Sequence, residues 1–299
     1  SSSTRGCAMT TDALGSARRT ARGLTLASLA VLAAMAALAV AGPWLGEALG
    51  IETTATNLLN RSQPPSLAHP FGTDALGRDY FVRVLEGGRV SLVVGLGGAV
   101  ATGLLGTLIG LVAGYAGGRV DALLMRLTDV VIALPILPLL LIVAAIDLSK
   151  LGLAGGGGDG GVLRLVVIVA LFGWPSIARV ARAQTLSVRR RTYVLAAEAL
   201  GAGAGRVVRR HILPNVAGPV LVAATLNIGN VILAESVLSF LGLGIQPPTP
   251  SWGNLLSDAQ TTLAQAPHLA VIPGLAIFVT VIAFNVLGDG LQALLDRRR

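Results

Sequence analysis

The sequence predicts an all-α integral membrane protein with six transmembrane helices, and three observations support this prediction. Of the 299 residues, 53% are hydrophobic and only 13% are charged, about half the charged share of soluble domains. The mean hydropathy of +0.74 leaves too little polar surface for an ordinary soluble enzyme. Several apolar runs reach the ~20 residues that cross a bilayer. The basic residues lie between these runs rather than on one soluble face, which argues against nucleic-acid binding.

The chain is predicted to begin with a cytoplasmic segment over 1–23 and a first transmembrane helix over 24–42. Three arginines precede the apolar run, and basic residues mark the cytoplasmic end of a span. The run ends in Ala39-Val40-Ala41, which is similar to a signal-peptide cleavage site. Signal h-regions are only about 7–15 residues long, so an uncleaved anchor is the favoured interpretation.

An extracytoplasmic loop with an amphipathic segment is predicted over 43–88, followed by a core of five transmembrane helices over 89–292 and a basic cytoplasmic tail over 293–299. The predicted spans of the core are 90–114, 125–146, 162–181, 216–241 and 270–291. Glycines in the first of these allow close helix contact, and Pro135 and Pro138 are expected to kink the next. The glycine-rich residues 147–161 are predicted to form an outer loop.

The distribution of arginine predicts the topology. Segment 179–215 carries eight arginines against one acidic residue, Glu198, whereas 242–268 contains no Lys or Arg. With six spans, all strongly basic segments fall on one side of the membrane, and that side is normally the cytoplasm. Both termini are therefore predicted to be cytoplasmic.

Several kinds of catalytic site are excluded. The only lysine, Lys150, lies outside any G-x-x-x-x-G-K-[ST] phosphate loop, so the chain is not expected to bind ATP. The three histidines are far apart and form no H-E-x-x-H motif, so no metal site is expected. No G-x-S-x-G nucleophile motif occurs. We therefore expect no catalytic residue and no cofactor in this chain.

The most informative segment is a predicted helical hairpin at about 185–215. Residues 191–200 contain no helix breaker and carry apolar residues at every third position, which predicts a short helix. Gly201 is expected to end this helix. A second amphipathic helix follows, and Pro214 is expected to restart the chain at the membrane. The pattern alone fits a basic helix that faces lipid and a docking helix for a soluble partner equally well.

At this hairpin the sequence resembles the coupling motif of ABC importer permeases. The matching residues are Tyr193-Val194, Ala196-Ala197, Leu200-Gly201 and His211-Ile212-Leu213-Pro214-Asn215. The sequence departs from the family pattern where Leu195 replaces the usual glutamate and Glu198 lies three residues later. More narrowly, 69–296 resembles the C-type subunit of the dipeptide/oligopeptide/nickel permeases. The further motifs that carry this resemblance are 69–74 with 77–79, 239–248 with 250–253, and 284–290 with 295–296.

The resemblance implies a type I ABC importer permease fold in a bacterial cell membrane. It implies a path formed with a second, B-type permease chain for di- or oligopeptides that an extracytoplasmic binding protein delivers. It also implies two ABC ATPase subunits, or a fused one, that use ATP and Mg²⁺. Nickel chelates, glutathione and haem-like ligands are alternative cargoes. A stand-alone channel or secondary transporter is less favoured, because neither explains a docking hairpin.

Three groups of candidate site residues follow. The resemblance assigns ATPase coupling to Tyr193, Ala196, Ala197, Glu198, Leu200, Gly201, His211, Leu213 and Pro214. Candidates for the translocation path are the polar residues of the fifth span, Asn227, Asn230 and Glu235, although hydrogen bonding between helices is the simpler interpretation. Candidates to face the binding protein are Asp74, Arg78, Asp79 and Trp252, with a turn-stabilising role as the alternative for Asp74. Asp129 is expected to pair with an arginine.

Overall fold

The computed structural model describes residues 3–48, 51, 56–146 and 158–296. Residues 147–157 of the predicted outer loop over 147–161 and the last residues of the tail, 297–299, lie outside the described residues, whereas 158–161 form the start of a helix rather than loop. The helices are α1 (Ser3–Ala48), α2 (Tyr80–Ala116), α3 (Gly118–Ala133), α4 (Ile136–Ala145), α5 (Gly158–Gly173), α6 (Pro175–Arg189), α7 (Thr192–Ala199), α8 (Ala204–Val207), α9 (Leu213–Phe240), α10 (Trp252–Ala259) and α11 (His268–Asp296).

Four helical runs in the described residues are long and apolar enough to cross a membrane: 22–48 of α1, α2, the run 204–240 that ends with α9, and α11 up to Leu295. Two bent pairs, α3 with α4 and α5 with α6, bring the number to six when each pair counts as one span. The predicted all-α membrane fold is therefore confirmed. When each bent pair is counted as one span, two of the six spans are broken.

Both breaks occur where a proline opens the second helix of the pair. The axes of α3 and α4 differ by 87° across Leu134 and Pro135, and those of α5 and α6 by 50° across Trp174. Proline suits a helix start because its missing N–H has no partner there. Pro138 lies in the first turn of α4 and adds no second kink. The predicted span over 162–181 contains one of these breaks, since Pro175 starts a new helix inside it.

Close helix packing against α2 depends on glycine, as the sequence suggests. Gly106, Gly110 and Gly114 follow one another at four-residue intervals on the side of α2 that meets α6. A Cβ atom at Gly110 would lie 2.5 Å from the carbonyl oxygen of Ala178. Only a glycine side of α2 lets the two backbones approach this closely.

Pro214 does not interrupt the chain in the way that the sequence predicts. The segment Val208–Ile212 is a π-helix that joins α8 to α9 and makes 204–240 one continuous helical run. The N–H of Leu213 bonds to the carbonyl of Val208, five residues earlier. This wider turn accommodates the proline ring and the missing N–H of Pro214. α9 therefore begins at Leu213 with Pro214 in its first turn, but it continues the preceding helix without a break.

The bundle has two chemically distinct ends. We call the end that carries Arg189, Arg190, Arg191, Arg206, Arg209 and Arg210 the basic end, and the end that carries 56–79 and α10 the opposite end. The beginning of the first apolar run also lies at the basic end, because Thr25 packs against Gly290, and Leu295 of the same helix packs against Gly218. The first and last helices thus meet on the side that the arginine distribution predicts for both termini.

Candidate functional site

The hairpin at the basic end contains the short helix that the sequence predicts. α7 spans Thr192–Ala199 and follows an extended residue, Arg191. It ends at Gly201, whose φ of +81° favours glycine. The N–H groups of Gly201 and Ala202 bond to the last carbonyls of the helix, both at 3.0 Å. The predicted helix and its stop at Gly201 are therefore confirmed.

One face of the hairpin is packed firmly onto the bundle. Val194 of α7, Val207 of α8 and Ile212 of the π-segment are fully buried. They belong to one apolar cluster with Ile177 and Ala181 of α6. The hairpin is therefore attached to α6 and to the start of α9 by side-chain packing, and any force on the hairpin reaches both helices.

The other face of α7 is apolar and exposed. Tyr193 is 41% exposed and Leu200 is 89% exposed, and Ala196 also faces solvent, whereas Ala197 and Glu198 are half-buried. The apolar residues of the predicted helix, Val194, Ala197 and Leu200, therefore have different environments. At ~3.6 residues per turn, positions six apart point about 120° away from each other, so Val194 faces the bundle while Leu200 faces outward.

The remaining coupling candidates lie on both limbs of the hairpin. Glu198 accepts a hydrogen bond from the Tyr115 hydroxyl of α2 at 3.3 Å, so its carboxylate is held toward the bundle. The Arg189 guanidinium lies 5.0 Å above the ring of the same Tyr115. The ring of His211 approaches that of Tyr193 at 6.1 Å. Leu213 and Pro214 are exposed at the start of α9 and extend the accessible surface.

An apolar groove of about 600 Å³ lies between the two helix breaks and α9. Its lining residues come from α3, the α3–α4 break, α4, α5, α6 and α9, and they are Val131, Ile132, Leu134, Ile136, Leu137, Leu140, Val169, Phe172, Gly173, Pro175, Ser176, Asn227, Asn230, Val231, Leu233, Ala234 and Val237. Asn227 donates a hydrogen bond to the Thr102 hydroxyl at 3.0 Å, and Asn230 is exposed. Two of the three path candidates therefore line the groove.

Glu235 does not line this groove. Its side chain is fully buried and accepts hydrogen bonds from the hydroxyls of Ser91 at 2.9 Å and Ser239 at 2.7 Å. The Ser91 hydroxyl in turn accepts the backbone N–H of Trp252 at 3.2 Å, and the Ser239 hydroxyl accepts that of Ile245 at 3.0 Å. The carboxylate thus joins α2, α9 and the loop that leads to α10, in agreement with the interhelix alternative.

The residues expected to face a binding protein are largely buried instead. Asp74, Asp79 and Trp252 are 5%, 3% and 3% exposed. Asp74 accepts the backbone N–H of Leu76 at 2.8 Å and that of Arg78 at 2.9 Å, so the turn-stabilising alternative is confirmed. Burial argues against a contact role for these three side chains, because their polar atoms bond within the fold: those of Asp74 to its own loop, and those of Asp79 and Trp252 to α2.

Their partners show how this loop is held at the opposite end. Asp79 caps α2 through the N–H of Val82 at 3.0 Å and pairs with His69 at 2.8 Å. The Trp252 indole donates to the carbonyl of Val84 at 3.1 Å. The Arg78 guanidinium donates to Asp74 at 2.7 Å.

α10 also carries a perturbed acidic group. Partial burial raises the pKa of the Asp258 carboxyl, and the nearby positive charge of Arg83 opposes that rise. Arg83 lies 3.8 Å from Asp258 and 3.4 Å from Asp74. This shared arginine links α10 to the loop that precedes α2.

Two ion pairs that join α3 to α6 complete the description of the basic half. Asp129 pairs with Arg179 at 2.6 Å, as the sequence predicts. Asp121 pairs with Arg182 through two hydrogen bonds of 2.5 and 2.6 Å. The sequence alone does not identify this second pair, since only the fold reveals that the two helices are adjacent.

Comparison with known proteins agrees with this architecture. Residues 106–299 match the family model described as the binding-protein-dependent transport system inner membrane component. The chain is 43% identical over 235 residues to the glutathione transport system permease protein GsiD of Pectobacterium atrosepticum, covering 79% of this chain and 74% of that protein. It is 37% identical over 273 residues to the oligopeptide transport system permease protein OppC of Bacillus subtilis, covering 91% and 85%.

The fold is also similar to a solved structure. The crystal structure of an amino acid ABC transporter with histidines contains a chain that superposes with a TM-score of 0.52 at 17% identity, covering 74% of this chain and 95% of that one. At this identity the likeness concerns the fold alone.

Proposed function

This chain belongs to the family of binding-protein-dependent transport system inner membrane components, and from that membership we propose that it is the C-type half of a peptide-importing permease. The proposed cargo is a di- or oligopeptide, with glutathione as the alternative that the GsiD relative suggests. A homologous B-type permease chain completes the path. Two ABC ATPase subunits, or a fused one, supply the energy with ATP and Mg²⁺, and an extracytoplasmic binding protein delivers the peptide.

The observation that carries this proposal is the connection between the hairpin and the groove. α6 runs into the hairpin and α9 runs out of it, and both helices line the groove. A displacement of the hairpin therefore moves two groove walls together. The exposed apolar face around Tyr193 and Leu200 is the surface that we assign to the ATPase, since exposed apolar patches mark interaction sites.

The groove has the chemistry that a peptide path requires. Its lining is mainly apolar, with Asn227, Asn230 and Ser176 as polar groups. Amides and hydroxyls can donate to and accept from peptide backbone groups, while apolar walls accept varied side chains. We place the basic end in the cytoplasm of a bacterium, because arginine-rich segments remain on the cytoplasmic side of a membrane. We also propose that the groove lies at the face that meets the B-type chain.

Purification from the native membrane in mild detergent tests the proposal. We expect this chain to copurify with a second permease and one or two P-loop ATPases. When the assembly is reconstituted in proteoliposomes with its binding protein, ATP-dependent uptake of labelled di- and oligopeptides is expected. Uptake of glutathione but not of the other peptides would show that glutathione is the cargo. A monodisperse chain without an ATPase would contradict the docking role of the hairpin and favour a stand-alone channel or secondary transporter.

A further inference from the structure

α3 contributes to the groove but is held weakly by packing. Among the described residues of α3 only Thr128 is buried, and the apolar side chains of Leu123 and Val130 are 70% and 59% exposed. The same helix nevertheless supplies Val131 and Ile132 to the groove wall. Its position relative to α6 must therefore depend on contacts other than a shared apolar core.

The strongest of these contacts is the ion pair of Asp121 with Arg182. Both oxygens of the carboxylate meet the guanidinium, at 2.5 and 2.6 Å, and the two side chains are only 17% and 32% exposed. Planar, two-point contact of this kind fixes direction as well as distance. The neighbouring pair of Asp129 and Arg179 makes one contact, and its side chains are 62% and 52% exposed, so it constrains α3 less.

Arg182 is itself fixed in the bundle. A Cβ atom on Gly110 would lie 2.8 Å from the Arg182 nitrogen, and one on Gly114 would lie 3.0 Å from the Arg182 oxygen. The backbone of Arg182 is therefore held directly against the glycine side of α2, while its side chain reaches α3. α6 ends at Arg189 and leads into α7, so Arg182 lies about two turns before the end of α6.

The connectivity of the walls gives this pair a specific role. α6 and α9 adjoin the hairpin, whereas α3 and α4 do not. α3 is joined covalently to α2 through Gly117 and Gly118, both at positive φ. The Asp121–Arg182 pair is thus the two-point ionic link between the helix that enters the hairpin and the third groove wall.

We propose that Arg182 and Asp121 are positioning residues that make the α3–α4 wall follow the hairpin, so that ATP hydrolysis moves all three walls of the groove. This proposal rests on the proposed function, because it requires an ATPase on the hairpin. Without the pair, α6 and α9 respond to the ATPase while α3 lags. The consequence is hydrolysis that is no longer matched by transport.

The test uses the complete importer in proteoliposomes and measures peptide transported per ATP hydrolysed. For Arg182→Asp and for Asp121→Arg, we expect this ratio to fall by about tenfold or more while binding-protein-stimulated hydrolysis continues. In the double variant the opposite charges face each other again, and we expect most of the ratio to return, as a double-mutant cycle requires of a direct pair. Arg126→Asp is the matched control, since Arg126 is an exposed arginine of α3, the helix that carries Asp121. The importer with this variant should transport as much peptide per ATP as the unmodified importer.

A second variant separates the link from the charges. With cysteines at both positions, the importer should be uncoupled when reduced and recoupled when a short bifunctional thiol reagent joins them. The proposal would be overturned if both single variants transported as much peptide per ATP as the unmodified importer. It would also be overturned if neither the charge exchange nor the cross-link restored this ratio. A purely structural role predicts another result: transport, hydrolysis and thermal stability fall together at an unchanged ratio. If the unmodified importer shows no stimulated hydrolysis, the proposed function itself fails.

Discussion

Replacing Gly110 with alanine adds a single methyl group at the α2–α6 contact. Its Cβ would lie 2.5 Å from the carbonyl oxygen of Ala178 and 2.6 Å from the Cβ of Ala181. Neither atom belongs to a flexible side chain, and carbon atoms pack best at about 3.5–4.0 Å. The two helices must therefore separate by about 1 Å.

The cost follows from comparison with a second glycine of the same helix. At Gly103 the added Cβ would meet only the Cβ of Ala224, at an ordinary 3.7 Å. Both substitutions gain the same helix propensity, about 0.8–1 kcal/mol, so their difference isolates the clash. Overpacking of a tight contact costs about 1–3 kcal/mol. We expect Gly110→Ala to be less stable than Gly103→Ala by that amount.

Thermal unfolding of the two purified variants in the same detergent measures this difference. Tryptophan fluorescence is a suitable signal because Trp174 lies at the break beside α6. We expect Gly103→Ala to unfold at or above the temperature of the unmodified chain and Gly110→Ala to unfold several degrees below Gly103→Ala. Equal midpoints for the two variants would refute the inference that α2 and α6 are in backbone contact.

Three further substitutions examine the hairpin and the opposite end. Gly201→Leu should leave insertion intact, because a Cβ there meets nothing within 4 Å. A leucine at this positive φ should cost about 1–2 kcal/mol, and the variant should lose ATP-dependent uptake. Normal uptake would contradict the docking assignment. Glu235→Ala removes the acceptor of the two serine hydroxyls and should cost about 1–3 kcal/mol, with faster proteolysis at 242–251; an unchanged cleavage rate would argue against the link to α10. Asp74→Ala should lower the free energy of unfolding by a similar amount, and hence the unfolding midpoint, without weakening the affinity for the binding protein. Weaker affinity at an unchanged midpoint would instead support a role of Asp74 in binding-protein contact.

The sequence predicts the features that depend on local composition. Apolar runs and arginine placement are enough for six spans, and Gly201 is enough to end α7. Pro135 correctly marks one helix break. The break at Trp174 escapes prediction because an apolar run reveals that a segment enters the membrane but not that it changes direction inside it. Gly173 and Pro175, on either side of this residue, are the available signal.

The features that depend on tertiary contact could not be predicted in this way. Asp74 and Trp252 lie in two polar segments outside the predicted spans, where exposure is the usual expectation, yet both segments fold onto α2 and bury these side chains. Val194 and Leu200 are both apolar, and only the position of α7 against α6 decides which one is buried. The pairing of Asp121 with Arg182 spans 61 positions and depends on the fold placing α3 beside α6.

The distribution of these contacts suggests where the molecule moves. At the opposite end, Glu235 and its serines join α2 and α9 to the loop before α10, and Trp252 bonds to α2. At the basic end, Val194, Val207 and Ile212 join the hairpin to α6. Between these two rigid regions lie both helix breaks, where the intrahelical hydrogen-bond ladder stops and bending disturbs the fewest bonds. Because the groove opens at those breaks, displacement of the hairpin should change the shape of the groove before it disturbs either end.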